Sequence, residues 1–423
     1  MKNVHFTWLH LTDFHLNVTN KLWLDIKSSF FKDLKNIYNK CDFLDLILVT
    51  GDLAQRGDPK EFEEAGNILE EIRNELEKLG SLPQILIVPG EHDLKRVKNH
   101  NPVVENLKGI AHSPQQIEKL CEKESKYHRE IIKEITNSFE NYDNKVSKKY
   151  FPASSEINNL IFGIFPGDFS ITIPKGGAKL GIVGLNTAFI QLADGDYKDK
   201  LFLHSCQFHE ACGGDGQNWA RKHHVCLLMT HHPVAYLDEK VKRQFEEYIG
   251  KHFTIHLCGH VHDANLKPIG DRGRPVIWIS SGCSLFGAEL KEEKTSCGYT
   301  VGRIGFFVKE TRGNFILWPR RKNCGGFSPD SNIYIDEDEH TQPKYFELGE
   351  PFKIGPERPP PQSRREQKQR PVINNMSDNN LQNEEDNEIT IEKKIENFNN
   401  NREVKLNKNI PSSLPQLTLK EKD

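Results

Sequence analysis

Five short segments bring imidazole and carboxylate side chains together: Asp13-Phe14-His15, Gly51-Asp52, Gly90-Glu91-His92-Asp93, His231-His232-Pro233 and Gly259-His260-Val261-His262. Imidazole nitrogen and carboxylate oxygen as a set suit divalent transition metals such as Mn, Fe, Co, Ni or Zn. A histidine flanked by two carboxylates, as His92 is, also suits proton transfer. Four of the segments directly follow an apolar, strand-like run, and Glu91 is separated from its run at residues 85–88 only by Pro89-Gly90. A Gly turn at a strand end relaxes the alternation of side chains, so that an Asp-x-His or His-x-His pair can face one centre. Taken singly, each segment has an ordinary explanation as a capping Asp, a turn or a loop. Their joint occurrence, in order, at successive strand ends does not. His204, His209, His223 and His224 lie away from such endings and read as surface or core histidines.

The elements that must position these groups are legible in the apolar spacing. Residues 6–11 form a first strand, and Trp23, Ile26, Phe30, Leu34 and Ile37 recur at helical spacing. Residues 43–49 form a second strand, and Phe62, Ala65, Leu69, Ile72 and Leu76 mark a helix over 61–79 that leads to the strand at 85–88. Strand, helix, strand, helix, strand with polar residues at each carboxyl end predicts an α/β sheet with right-handed crossovers and a site along that edge. Residues 95–150 are polar, with a helix expected from Ser113 to about Lys149 started by Ser113-Pro114, and read as an insertion over the site. Strand-like runs resume at 160–165, 171–173, 180–185, 225–229, 253–257, 276–279, 299–308 and 315–318, which predicts two sheets packed together.

The chain has 423 residues, 36% of them hydrophobic, and a formal charge of -3, so no global basic field points to nucleic acid or an anionic membrane. Lys95, Arg96, Lys98 and His100, and separately Arg272, Arg274, Arg320, Arg321 and Lys322, form local basic groups. Nine cysteines without a C-x-x-C pair read as reduced thiols. His5, His10 and Asp13 interrupt the N-terminal apolar residues, and no later run has the length of a membrane span. A soluble, cytoplasmic protein without a membrane partner is therefore expected. From residue 351 the sequence becomes rich in Pro, Gln, Asn, Lys and Glu, which predicts a disordered tail over 351–423. Within it residues 389–398 have amphipathic spacing that could receive an unidentified protein partner.

The five segments resemble the signature blocks of the calcineurin-like metallophosphoesterase family, D-x-H, G-D, G-N-H-D/E, H and G-H-x-H, over about residues 4–320. Gly51-Asp52-Leu53-Ala54-Gln55-Arg56-Gly57 is similar to the branch containing cyclic-nucleotide phosphodiesterases rather than to the G-D-x-V-D-R-G block of Ser/Thr protein phosphatases. The resemblance implies an α/β, four-layer αββα sandwich of two mixed β-sheets flanked by helices. It implies a domain over 1–322, with the helical insertion at 95–150, an extension over 323–350 packing on it, and the tail. Two divalent ions would be held, Mn2+ or Fe2+ ahead of Zn2+, Ni2+ or Co2+. Asp13, His15 and His262 would hold the first, Asp52 would bridge, and His231, His260 and the residue at 91 would hold the second. His92 would serve as proton donor to the leaving oxygen, with Asp93 orienting its ring. The implied activity is hydrolysis of phosphate esters, with phosphodiesters of nucleotides or nucleic acid foremost, by attack of a metal-bridging hydroxide. Glu91 departs from the family Asn, which adds a charge and a methylene to the second position. The alternative is a non-catalytic metal-binding or scaffold module in which Glu91 disables hydrolysis.

Overall fold

The structure is a computed structural model that describes residues 4–17, 22–97, 101, 102, 104, 105, 107, 126–151, 159–270, 277–287, 289, 290, 293, 294, 296–333 and 335–348. In chain order the elements are β1 (Val4–Leu11), α1 (Leu22–Cys41), β2 (Leu46–Thr50), α2 (Pro59–Lys78), β3 (Gln84–Val88), α3 (Lys126–Ser138), β4 (Ile161–Phe162), β5 (Phe169–Lys175) and β6 (Ala178–Gly184). There follow α4 (Ser205–Ala211), α5 (Gly216–Arg221), β7 (Val225–Met229), α6 (Glu239–Gln244), β8 (Ile255–Cys258), β9 (Asn265–Ile269), β10 (Ile277–Ser281), β11 (Glu289–Leu290) and β12 (Glu293–Lys294). The last strands are β13 (Gly298–Phe306), β14 (Arg312–Asn323), β15 (Gly326–Pro329) and β16 (Lys344–Glu347).

Two mixed sheets form the centre. The first has the order β15-β14-β13-β1-β2-β3, with β16 also on β14, and the second has the order β4-β5-β6-β7-β8-β10-β9. β1, β2 and β3 are parallel, with Leu11 opposite Val49 and Thr50 opposite Val88, so the three chains leave the sheet along one edge. β6, β7, β8 and β10 are parallel in the second sheet, with Met229 opposite Leu257. The sheets meet closely enough that a Cβ on Gly184 of β6 would lie 2.7 Å from Val88 of β3. Flanking helices complete the architecture: Phe30 of α1 stacks edge-on against Tyr299 of β13, and Trp219 of α5 covers Gly181 of β6.

Helix α2 begins where the second signature loop ends. Asp58 caps Lys60 N, and the buried Glu61 carboxylate accepts the N–H groups of Gln55, Arg56 and Asp58 at 3.1, 2.8 and 3.2 Å. That capping box fixes the loop that follows Asp52. Arg320, read above as part of a basic group, is instead internal: it clamps Asp33 of α1 through two bonds of 2.6 and 2.9 Å and reaches Glu339 at 2.8 Å. Arg321 likewise pairs with Asp330 and Asp263. Lys98, His100, Arg272 and Arg274 lie outside the described residues, as do the start of the helix expected at Ser113 and everything from 349 onward.

The described part of the 95–150 segment runs as α3 and a series of short turns with a π-type stretch at Asp143–Ser147, packed on α2 and β3. Tyr142 donates to Ile87 O at 3.0 Å and Asn141 to Gly57 O at 2.8 Å. β15 and β16, within the segment expected as an extension, both pair with β14. Seven described cysteines are free thiols, whereas Cys206 is disulfide-bonded, so the reading of all nine as reduced fails there. Among the described residues no helix is long and apolar enough to cross a membrane.

Two core histidines make a prediction for stability. His10 and His256 are each 1% exposed, with Nε2 at 2.9 Å from Thr50 Oγ1 and 2.7 Å from Thr230 Oγ1. Burial pushes them down to about 4 and about 3. Both are neutral in the fold and take protons only when unfolded, so stability present above pH 6.5 is lost as pH falls toward the folded values. Lowering pH from 7 to 5 is expected to cost about 2 kcal/mol per histidine. Urea unfolding of metal-stripped protein at both pH values measures this, and His256→Gln should make the loss visibly smaller; an unchanged pH dependence would contradict the assignment.

Candidate metal centre

The five segments do converge, and the backbone is strained where they do. Nine non-glycine residues of the described chain have positive φ, and five of these are Asp13 (53°), His15 (46°), Asp52 (54°), His260 (68°) and His262 (53°). Left-handed backbone at such residues costs of order 1–3 kcal/mol each and persists only when neighbours over-determine it. Here the neighbours are the other loops. Asp13 N bonds Gly51 O at 3.0 Å, His15 N bonds Asp52 O at 2.9 Å, and Gly259 N bonds His231 O at 2.8 Å. His260 N donates to the Asp13 carboxylate, at 3.1 Å to each oxygen, which ties the second sheet's loop to the first. Glycine is required at two crossings: a Cβ on Gly90 would sit 2.1 Å from Asp52 Oδ1, and one on Gly259 2.0 Å from Thr12 Oγ1.

The side chains fall into two overlapping groups. Asp13, His15 and His262 form one, with His262 Nε2 3.3 Å and His15 Nε2 3.8 Å from Asp13 Oδ1. Glu91, His231, His232 and His260 form the other: Glu91 Oε2 lies 2.6 Å from His231 Nε2 and 3.0 Å from His232 Nε2, and Oε1 lies 2.7 Å from His260 Nδ1. Asp52 stands between them, its Oδ2 3.2 Å from His231 Nε2 and 3.7 Å from His15 Nε2. Asp52 Oδ2, Glu91 Oε2, His231 Nε2 and His232 Nε2 are all buried, and none makes a hydrogen bond of acceptable direction despite these short separations. Buried polar atoms in folded proteins are nearly always satisfied. Four that are not, converging with nitrogen and carboxylate oxygen, fit divalent cations as the missing partners.

The electrostatics agree. Burial and Glu91 both oppose charge on Asp52, yet His231 and His92 bring it below the ordinary carboxylate value. Burial opposes charge on His231 as well, and Asp52 and Glu91 outweigh it, holding that imidazole well above its usual value. The carboxylates are thus ionised at neutral pH, as a metal requires, while His231 holds a proton that a bound cation would displace.

His92 and Asp93 sit beside the groups, and Asp93 does not orient the His92 ring as expected. The His92 backbone N–H donates to Asp52 Oδ1 at 2.9 Å, and its ring Nδ1 lies 2.9 Å from Gln55 O. The Gln55 carbonyl, rather than Asp93, orients the ring. Asp93 is wholly buried, accepts Ala54 N and Gly90 N at 2.9 Å each, and is pushed up to about 7 by burial and by the Asp52 charge. It shapes the turn that presents Glu91 and His92.

A cleft of about 260 Å³ opens beside the second group, lined by Glu91, His92, Arg96, Gln191, Gly195–Lys198, Leu201, His232, Tyr236 and His260. Of the described residues in 95–150 only Arg96 lines it; the facing wall is the loop at 191–201. Arg96 is fixed by Ala193 O at 3.1 Å and Asp194 at 3.2 Å. Sequence reasoning missed that wall and Tyr236, which carry no motif, gave Gln55 no role although it lies in the Gly51–Gly57 block, and set aside His232, which the His-His-Pro block did contain.

Comparison with known proteins bears on what this cation site belongs to. A curated relative, the uncharacterized metallophosphoesterase-like protein YydB of Bacillus subtilis (strain 168), is 19% identical over 317 residues, 74% of this chain; the chain spans 59% of that relative's length. Among solved structures, the GAP50 anchor of the inner membrane complex of Plasmodium is 10% identical, with a TM-score of 0.39 over 82% of this chain and 90% of that one. Purple acid phosphatase PPD1 from yellow lupin (Lupinus luteus) is 11% identical, with a TM-score of 0.40 over 76% and 52%. Neither score carries an argument. The family model for calcineurin-like phosphoesterases does, because it matches residues 6–264, more than half of the chain and all five converging segments. That match, over the segments whose imidazole and carboxylate groups meet at the strand ends, makes the chain a member of the calcineurin-like phosphoesterase family.

Proposed function

We propose that the protein is a dinuclear-metal phosphodiesterase acting on nucleotide-type phosphodiesters. The observation that carries this reading is Asp52: its buried, unsatisfied Oδ2 faces both donor groups at once. Two divalent cations there would supply Lewis acidity toward the phosphate oxygens and a water acidified toward neutral pH. The residues of the chain do the rest. Asp13, His15 and His262 would hold one, Glu91, His231 and His260 the other, and Asp52 would be shared. His92, its Nδ1 anchored on Gln55 O, is free to offer Nε2 to the leaving oxygen from the cleft wall. Burial lowers the His92 pKa, and Asp52, the Gln55 carbonyl and Glu91 together outweigh it and hold the ring above its usual value, which favours the proton-donating form.

Charge supports the diester. Asp13, Asp52 and Glu91 set three carboxylates against two divalent cations, leaving about one net positive charge for the substrate. A monoanionic diester matches that; a dianionic monoester matches a site with the family Asn at position 91. A cleft of about 260 Å³ supports a small nucleotide-type diester over a long strand. The likeness of residues 51–57 to the cyclic-nucleotide branch points the same way. Mn2+ or Fe2+ is the proposed pair, since a carboxylate in place of an amide favours harder ions.

The test is hydrolysis of a chromogenic diester and the matching monoester by metal-stripped protein resupplied with Mn2+, Fe2+, Ni2+, Zn2+ or Mg2+. The expected result is turnover of the diester in preference to the monoester, and a ratio that moves toward the monoester in Glu91→Asn. Two bound ions with no turnover of either, restored by Glu91→Asn, would instead identify a binding module disabled at Glu91.

A further inference from the structure

We infer that His232 is an additional ligand of the second metal position, so that Glu91, His231, His232 and His260 act as a set of three imidazoles and one carboxylate. This rests on the two-metal reading above and goes beyond it, since only the first histidine of the His-His-Pro block was assigned there. The ligand atoms of these four residues lie within 4.8 Å of one another.

Three observations carry it. His232 Nε2 is buried and 3.0 Å from Glu91 Oε2, yet neither atom makes a hydrogen bond, so the separation is right and the direction is not. The same failure occurs at His231 Nε2, 2.6 Å from the same oxygen, and His231 is a ligand in the two-metal reading. The two nitrogens are therefore in equivalent situations about one carboxylate. Second, the ring is fixed from behind as metal-bound imidazoles are: Nδ1 lies 2.9 Å from Thr187 Oγ1, which also accepts the His232 backbone N–H at 3.1 Å. With Thr187 Oγ1 accepting from Nδ1–H, the direction the ligand role requires, Nε2 would keep its lone pair for a cation. Third, Glu91 explains why a second histidine is used. One methylene longer than Asn, it places Oε1 by His260 and Oε2 between His231 and His232, so an ion on Oε2 is within reach of both rings. These four protein donors fill a tetrahedral ion and leave open places only in a six-coordinate one, which selects against four-coordinate zinc.

The rival role for His232 is a donor that steadies Glu91, and it is separable by experiment. Metal-stripped full-length protein is titrated with Co2+ and Mn2+ under competition by a chromophoric chelator, with the Co2+ visible spectrum recorded for each ion bound. Wild type should bind two ions, the second with a weak, six-coordinate Co2+ spectrum. His232→Ala and His232→Gln should each weaken one of the two sites by about 100-fold or more and alter only that ion's spectrum, while Thr187→Ala, which frees the ring, weakens the same site by about 10-fold. The unaffected first site in the same titration reports that each variant is folded. Second-site affinity and spectrum unchanged in His232→Gln, which retains an N–H donor, would overturn the ligand role in favour of the steadying one. A wild-type stoichiometry below two would overturn the two-metal reading itself, and that is measured before any variant.

Discussion

Asp52→Asn is expected to reduce turnover by about 10³-fold or more, roughly 4 kcal/mol of transition-state stabilisation, and to lower bound metal from two ions to at most one. The substitution is nearly isosteric, so the effect is chemical. Asp52 Oδ1 accepts the His92 backbone N–H at 2.9 Å, and an Asn carbonyl can still do that. Its other atom then becomes an NH2 donor in the place of Oδ2, facing His231 Nε2 at 3.2 Å and His15 Nε2 at 3.7 Å, where a lone pair is needed. The fold should persist, because φ at position 52 is 54° and Asn tolerates the left-handed region as well as Asp does. Metal counting alongside a thermal melt checks both halves. A folded variant with two ions and undiminished turnover would remove Asp52 from the role of bridge.

His92→Ala is expected to fail differently. Its Nδ1 lies 2.9 Å from Gln55 O and its ring lines the cleft; although His92 also comes close to His15 and Asp52, both proposed donor sets are intact without it, so metal stoichiometry should remain two. General acid catalysis contributes about 10²–10⁴-fold, and that is the expected loss in kcat for a diester with a poor, alkoxide leaving group. A nitrophenolate leaving group needs little protonation and should lose much less. Equal losses for the two substrates would show that His92 holds the phosphate rather than protonating the departing oxygen; no loss for either would exclude it from the reaction.

The contrast between these residues shows what the sequence made legible. Asp13, Asp52, Glu91, His231, His260 and His262 could be placed because each follows an apolar run whose length and β-branched content mark a strand, and because parallel strands end along one edge. β1, β2, β3, β7, β8, β10, β13 and β14 were all visible by that rule. β9, an edge strand carrying Pro268, and the four-residue strands β15 and β16 were not, since short edge strands carry too little apolar pattern. The orientation of His92 was misassigned for another reason. Its partner is a backbone carbonyl at Gln55, and a carbonyl has no sequence signal; Asp93, the nearest carboxylate in the chain, turned instead toward the N–H groups of Ala54 and Gly90. Arg320 was misread as surface charge because its partner Asp33 is 287 residues away. The loop at 191–201 walls the cleft without any motif at all, so substrate shape is written in residues that only the fold brings to the site.

The most direct test of the central claim follows turnover and metal content together as metal-stripped protein is titrated with Mn2+. The account predicts two ions per chain and diester hydrolysis that stays near background until the second ion binds, with Asp52→Asn inactive throughout. Full turnover at one ion per chain, or turnover in the presence of chelator with none bound, would contradict it.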